Sequence, residues 1–206
     1  MNPLSTTRYA LLRRGVALEG LTVWYNALEG VVAVTAGLIA GSVALVGFGL
    51  DSVIEVASGL VLWWRLRAEL EGRSGRFVET RAARWAGLLL LALALYLVTE
   101  AARRLLTGDR PEESPVGIAI CGLSLIVMPL LARAKLRTAR ALESRALRAD
   151  AHETIVCAWL SLTTLSGLAL NAAAGWWWAD PLAGLAMVPL ILREGLEAIQ
   201  PQSEHP

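Results

Sequence analysis

Asp51 and Glu55 stand four residues apart inside an apolar run from about Val43 to Trp64. In a helix that spacing puts both carboxylates on one face. Two anions so close in a low dielectric repel each other, so a proton or a cation must sit between them. Metal ligands have to give up their protons, and a divalent metal therefore competes with protons for such a place. The structural alternative is a hydrogen-bonded pair, or a pair bound to a neighbouring helix. Ionisable groups inside apolar spans are costly, and each is a functional candidate by default.

A second run, about Ala149 to Ala174, carries a polar stripe. Counting about 100° per residue from Asp150, the residues Glu153, Thr154, Cys157, Ser161, Thr164 and Asn171 fall within about 60° of one line. Trp159 lies opposite, Leu168 interrupts the stripe, and Thr163 and Ser166 lie off it. Small and polar residues that glue helices together explain Ser161 and Thr164 well. They explain Asp150, Glu153 and Cys157 poorly. His152 projects roughly 160° away from Asp150 and reads as a surface histidine. Glu19, Asn26 and Glu29 add polar groups to the first run. Glu19 and Asn26 share a face with Gly30 and Gly37, and that face lines the same cavity or packs helices closely.

Asp51, Glu55, Glu153 and Cys157 thus form a set of four candidate ligands from two helices, with Asp150 beside them at the mouth. Carboxylates with one thiolate suit zinc in a tetrahedron, or manganese, cobalt or iron. Cys157 has a second reading as a small buried hydrophobe.

The elements that must position these groups follow from composition. The chain has 206 residues, 55% of them hydrophobic and 18% charged, with a mean hydropathy of +0.52. Soluble domains carry about a quarter charged residues. A water-soluble enzyme is excluded on that ground, and no nucleophile–base pair suggests an intramembrane one. Six apolar segments of about span length can be marked: 16–40, 43–64, 83–106, 115–132, 149–174 and 181–199. They predict an all-α membrane protein forming a single transmembrane domain. The first segment is too long for a signal peptide and reads as a retained span. Cys121 and Cys157 both lie in apolar runs, which argues against a disulfide framework.

Basic residues set orientation. Arg8, Arg13 and Arg14 precede the first span. Arg65, Arg67, Arg73, Arg76, Arg81 and Arg84 are read as the second connection, and Arg133, Lys135, Arg137, Arg140, Arg145 and Arg148 as the fourth. All fall on one side of a six-span chain, so both termini are expected in the cytoplasm. With the basic residues confined to loops and helix ends, a net charge of +1 points to no nucleic-acid partner. Trp63, Trp64 and Trp85 are expected at the inner interface, and Trp176, Trp177 and Trp178 at the outer one. Gln200 to Pro206 reads as a short polar tail.

Three pieces carry a family resemblance. Gly41-Ser42-Val43-Ala44-Leu45, followed by Gly47-Phe48-Gly49-Leu50-Asp51 and then Glu55, resembles the second-helix signature of the cation diffusion facilitator (cation efflux) family of metal/proton antiporters. Arg148-Ala149-Asp150 resembles the start of that family's fifth helix. Ligands there follow the aspartate by three and seven positions, commonly as histidine and aspartate; Glu153 and Cys157 occupy those positions here. Trp178-Ala179-Asp180-Pro181-Leu182-Ala183-Gly184 resembles the approach to helix six. The likeness covers about residues 15–199 and is to short members of the transmembrane protein 163 type, without a cytoplasmic C-terminal domain. It implies a homodimer in the plasma or bacterial inner membrane. The expected activity is export of a divalent cation, zinc first, in exchange for protons by alternating access. Asp51 and Glu55 would bind the metal and accept protons, Glu153 and Cys157 would complete the shell, and Asp150 would attract the ion. The rival expectation is a membrane protein that binds metal or modulates a partner without transport.

Overall fold

The computed structural model describes residues 3–71 and 79–199. Its described residues form six helices: α1 Pro3–Ala40, α2 Val43–Leu70, α3 Glu79–Thr107, α4 Pro115–Leu142, α5 Arg145–Ala174 and α6 Ala179–Ile199. In lipid the backbone has to satisfy its own polar groups, which helices do within one segment. Three helices start at a serine whose hydroxyl accepts from the N–H three residues on: Ser42 from Leu45 (3.0 Å), Ser114 from Gly117 (3.1 Å) and Ser144 from Leu147 (3.3 Å). Each of these bonds satisfies one otherwise orphaned donor of a first turn.

Five helices, α1 to α5, are long and apolar enough to cross a membrane. The sixth, α6, carries Asp180, Arg193, Glu194 and Glu197 within 21 residues and is not among them by composition. It belongs to the bundle nonetheless. A side chain at Gly167 of α5 would meet Ala183, and one at Gly87 of α3 would lie 2.7 Å from the carbonyl of Gly195. The second helix is the hub, packing on α1, α3, α5 and α6.

The α1–α2 seam is the tightest. A Cβ on Gly49 would sit 2.6 Å from the amide nitrogen of Val34, and one on Gly37 2.7 Å from that of Val46. Small residues let membrane helices approach this closely, so the face shared by Gly30 and Gly37 is a packing seam.

The helices outrun the apolar segments. The first helix begins before Val16, α2 continues past Trp64 and α4 past Ala132. A second, smaller core of Leu12, Leu62, Leu66, Ala139, Leu142 and Leu147 joins these extensions and keeps them helical. This corrects the expected loops. Arg65 and Arg67 lie on α2, and Arg133, Lys135, Arg137 and Arg140 lie on α4. Only Glu143 and Ser144 separate α4 from α5. Arg73, Arg76 and the tail Gln200–Pro206 fall outside the described residues.

At the other end three connections meet. The Glu112 amide donates to the Ala40 carbonyl (2.8 Å), and Asn171 Nδ2 donates to the Pro111 carbonyl (3.1 Å). Asp180, wholly buried at the start of α6, accepts from the Val43 amide (2.8 Å) and from the Ser42 hydroxyl. A carboxylate on α6 therefore caps the N-terminus of α2 and adds to its favourable dipole. That contact fixes the helix bearing Asp51 and Glu55.

Candidate metal centre

A continuous polar face runs down the inside of the bundle. Among α5 residues, Thr154, Cys157, Ser161, Thr164 and Asn171 are all buried. Several of them spend their hydrogen bonds locally. Thr154 Oγ1 donates to the Asp150 carbonyl (3.0 Å), Ser161 Oγ to the Cys157 carbonyl (2.8 Å) and Thr164 Oγ1 to Met187 Sδ (3.6 Å). Asn171 ties α5 to the α3–α4 connection. Those four are accounted for by packing.

Cys157 is different. Its sulfur and one carboxylate oxygen each from Asp51 and Glu55 all lie within 4.8 Å of one another. Among the described residues this is the one group of three or more such donors that converges so. Asp51 is 2% exposed and Cys157 is wholly buried. Both cysteines are free thiols. None of the ion pairs among the described residues involves Asp51 or Glu55.

The other sequence candidates lie outside that group of three. Glu153 is exposed and outside the converging group. It lies about 60° from Asp150 on the helical wheel, the same angle as the buried Asn171, and its carboxylate is among the charges that act on Asp51. Asp150 is bound to Lys135, its Oδ2 2.5 Å from Nζ. His152 is exposed.

The first helix contributes more than its sequence suggested. Asn26 Nδ2 donates to Glu55 Oε2 at 2.6 Å. Glu29, fully buried, accepts from Ser52 Oγ at 3.0 Å and lies 3.9 Å from Cys157 Sγ. The signal was the spacing Glu19, Asn26, Glu29, read along one apolar helix; what the sequence alone could not supply was which neighbour each residue faces.

Lys135 was missed outright. Its ammonium is wholly buried, 3.0 Å from Glu19 Oε2, 2.5 Å from Asp150 Oδ2 and 3.4 Å from Thr154 Oγ1. Its place in a run of basic residues gave no hint of burial. The i, i+3, i+7 pattern of Ala132, Lys135, Ala139 and Leu142, all buried on α4, was the available clue.

A cluster of two carboxylates and a thiol between helices, with Glu55 half-buried at its edge, suits a divalent cation with some preference for soft-tolerant metals such as zinc. Comparison with known proteins points to cation transport. The cation efflux transmembrane domain matches residues 21–202. An uncharacterized transporter of Synechocystis sp. is 28% identical over 96% of this chain and 65% of its own length. Transmembrane protein 163 of Xenopus laevis is 23% identical over 91% of the chain and 66% of its own. The magnetosome protein MamB of Magnetospira sp. is 26% identical over 78% and 57%. The chain thus spans less than two thirds of the length of these relatives. With its family domain covering nearly all of the helical bundle, the chain belongs to the cation efflux family.

Proposed function

We propose that this protein moves a divalent metal cation across a membrane, with zinc the first candidate and manganese, cobalt or iron accepted less selectively. The observation that carries this is the convergence of buried Asp51 and Cys157 with half-buried Glu55 from two helices, with no basic side chain paired to either carboxylate among the described residues. Isolated anions are too costly to bury, so protons balance the site when it is empty and metal balances it when filled. Exchange of one for the other makes the carrier a cation/proton antiporter.

Asp51 and Glu55 are ligands and proton carriers in this reading, and Cys157 supplies the sulfur. Glu153 and Asp150, nearer the basic end of α5, form the approach from the cytoplasm. Shifting the packing of α2 against α5 would expose the site to one side and then the other. In this reading both termini are inside, which the basic helix ends support, the membrane is the plasma or bacterial inner membrane, and the working unit is a homodimer.

The test is metal flux in proteoliposomes under an imposed pH gradient. Zinc uptake that follows the gradient and disappears in Asp51→Asn supports antiport. Tight zinc binding with no flux in either direction would instead make this a metal-binding or partner-modulating protein.

A further inference from the structure

We propose that Glu29 of α1 is a fourth ligand of the cation, so that three helices rather than two hold it. The proposal rests on the cation-site reading above and adds a residue that the helix-two and helix-five motifs do not include.

Glu29 is 0% exposed, on the face of α1 that meets α2 and α5. Its Oε2 lies 3.9 Å from Cys157 Sγ. In a tetrahedral site with metal–sulfur about 2.3 Å and metal–oxygen about 2.0 Å, a sulfur and an oxygen ligand stand about 3.5 Å apart. The observed separation is therefore a coordination edge opened by a few tenths of an ångström.

The second observation is independent. Glu29 Oε1 has no hydrogen-bond partner in a fully buried position. Buried carboxylate oxygens without partners are costly and call for an explanation. The neighbouring Asn26, one turn earlier, has a buried Oδ1 in the same condition while its Nδ2 holds Glu55. The Tyr25 and Ser124 hydroxyls, likewise without a formed hydrogen bond, face Glu29, so the cluster is bordered by polar groups whose bonding is not fixed and that a bound cation could reorganise.

The support around Glu29 resembles that around a ligand. Ser52 Oγ donates to Oε2, and Ser52 follows Asp51 on α2. Ligating carboxylates are commonly oriented by such second hydrogen bonds. Glu29 stands outside the group whose donors all lie within 4.8 Å of one another, so it would close on the ion by a side-chain shift, giving the set Asp51, Glu55, Cys157 and Glu29.

The experiment is zinc binding by calorimetry to the purified full chain, with cobalt(II) absorption as a second readout. The sulfur-to-cobalt band reports Cys157, and the d–d intensity reports coordination number. Glu29→Gln keeps the shape and an acceptor for Ser52 but is a weak ligand. Its expected affinity loss is about tenfold or more, with the sulfur band retained and the d–d intensity changed. Glu29→Asp keeps the charge with a shorter reach and carries the test if the glutamine variant does not fold; a loss of affinity there has the same meaning. Native affinity and an unchanged cobalt spectrum in Glu29→Gln, beside losses in Asp51→Asn and Cys157→Ser, would overturn Glu29 as a ligand and leave the site standing. A native protein that binds neither zinc nor cobalt would overturn both.

Discussion

Two buried acidic clusters share α1 and α5, and they solve the same electrostatic problem differently. In one, Glu19 and Asp150 close on the Lys135 ammonium at 3.0 Å and 2.5 Å. In the other, Asp51 and Glu55 converge with Cys157, with Glu29 alongside, and no basic side chain among the described residues pairs with them. A buried carboxylate needs a positive partner or a proton. The first cluster carries its cation in the covalent chain and can never release it. The second has only protons or a cation from solution to balance it, which is the property the proposed carrier needs. Acidic residues in one bundle thus separate into a fixed joint between α1, α4 and α5 and the proposed exchangeable site.

Removing the fixed cation should produce the largest effect in the molecule. Lys135→Met leaves Glu19 and Asp150 facing each other across a dry gap, and breaking a buried pair from one side costs about 3–5 kcal/mol. Thermal unfolding in detergent should show a large drop. The triple variant Lys135→Met, Glu19→Gln, Asp150→Asn should recover most of it, because neutral groups of similar shape need no cation. A Lys135→Met protein as stable as the native one would erase the distinction between the two clusters.

Asp51→Asn should do the reverse: little loss of stability and a large loss of binding. It lowers the charge of a site that has no cation of its own, so the apo protein tolerates it. Zinc affinity should fall about tenfold or more. In the native protein affinity should also drop as pH falls, since protons compete for the same oxygens. Calorimetry at two pH values, in buffers of different ionisation enthalpy, should show proton release on binding that shrinks in Asp51→Asn. Tight binding without proton release, unchanged in the variant, would remove the basis for exchange.

The sequence revealed these two clusters unequally. Helix number followed from hydropathy, because each apolar run is a local property of about 20 residues. The polar face of α5 was legible because a helix repeats at a fixed angle, and Thr154, Cys157, Ser161 and Thr164 indeed turn inward. The family likeness rested on local signatures around Asp51, Asp150 and Asp180. The partnership of Lys135 with Glu19 was not legible. It joins residues far apart in sequence across a helix interface, and the basic run around Lys135 resembled a solvated connection. Glu153 shows the same limit on a smaller scale: a position 60° off the line is inside or outside depending on the neighbour, which periodicity does not specify. Nor did the motif Ala179-Asp180-Pro181 disclose that its carboxylate caps another helix.

That cap connects the comparison to the frame. Asp180→Ala removes an acceptor from the Val43 amide and the Ser42 hydroxyl in a buried place. Loss of a charged hydrogen bond of this kind costs about 1–3 kcal/mol. The variant should unfold earlier than the native protein by an amount between those of Lys135→Met and Asp51→Asn. Its zinc affinity should fall less than in Asp51→Asn, because Asp180 positions α2 and touches no ligand. A stability unchanged from native would mean that Ser42 alone suffices to start α2.

The smallest effect belongs to His152, and it tests the geometry of α5 most cleanly. Histidine is the commonest biological metal ligand, and here it sits between Asp150 and Glu153, so composition alone would choose it first. The helix decides otherwise. His152 points roughly 160° away from Asp150 and is exposed, while Cys157, on the buried side, joins the carboxylates. A surface substitution away from any hydrogen-bond network changes stability by no more than about 0.5 kcal/mol. His152→Ala should therefore retain native unfolding and zinc affinity within about twofold, a difference of under half a kcal/mol. Glu153→Gln, on the proposed approach path, should slow metal uptake more than His152→Ala does. A folded His152→Ala protein that has lost zinc, beside a Glu153→Gln protein with native uptake, would mean that α5 turns its other face to the site in the working protein.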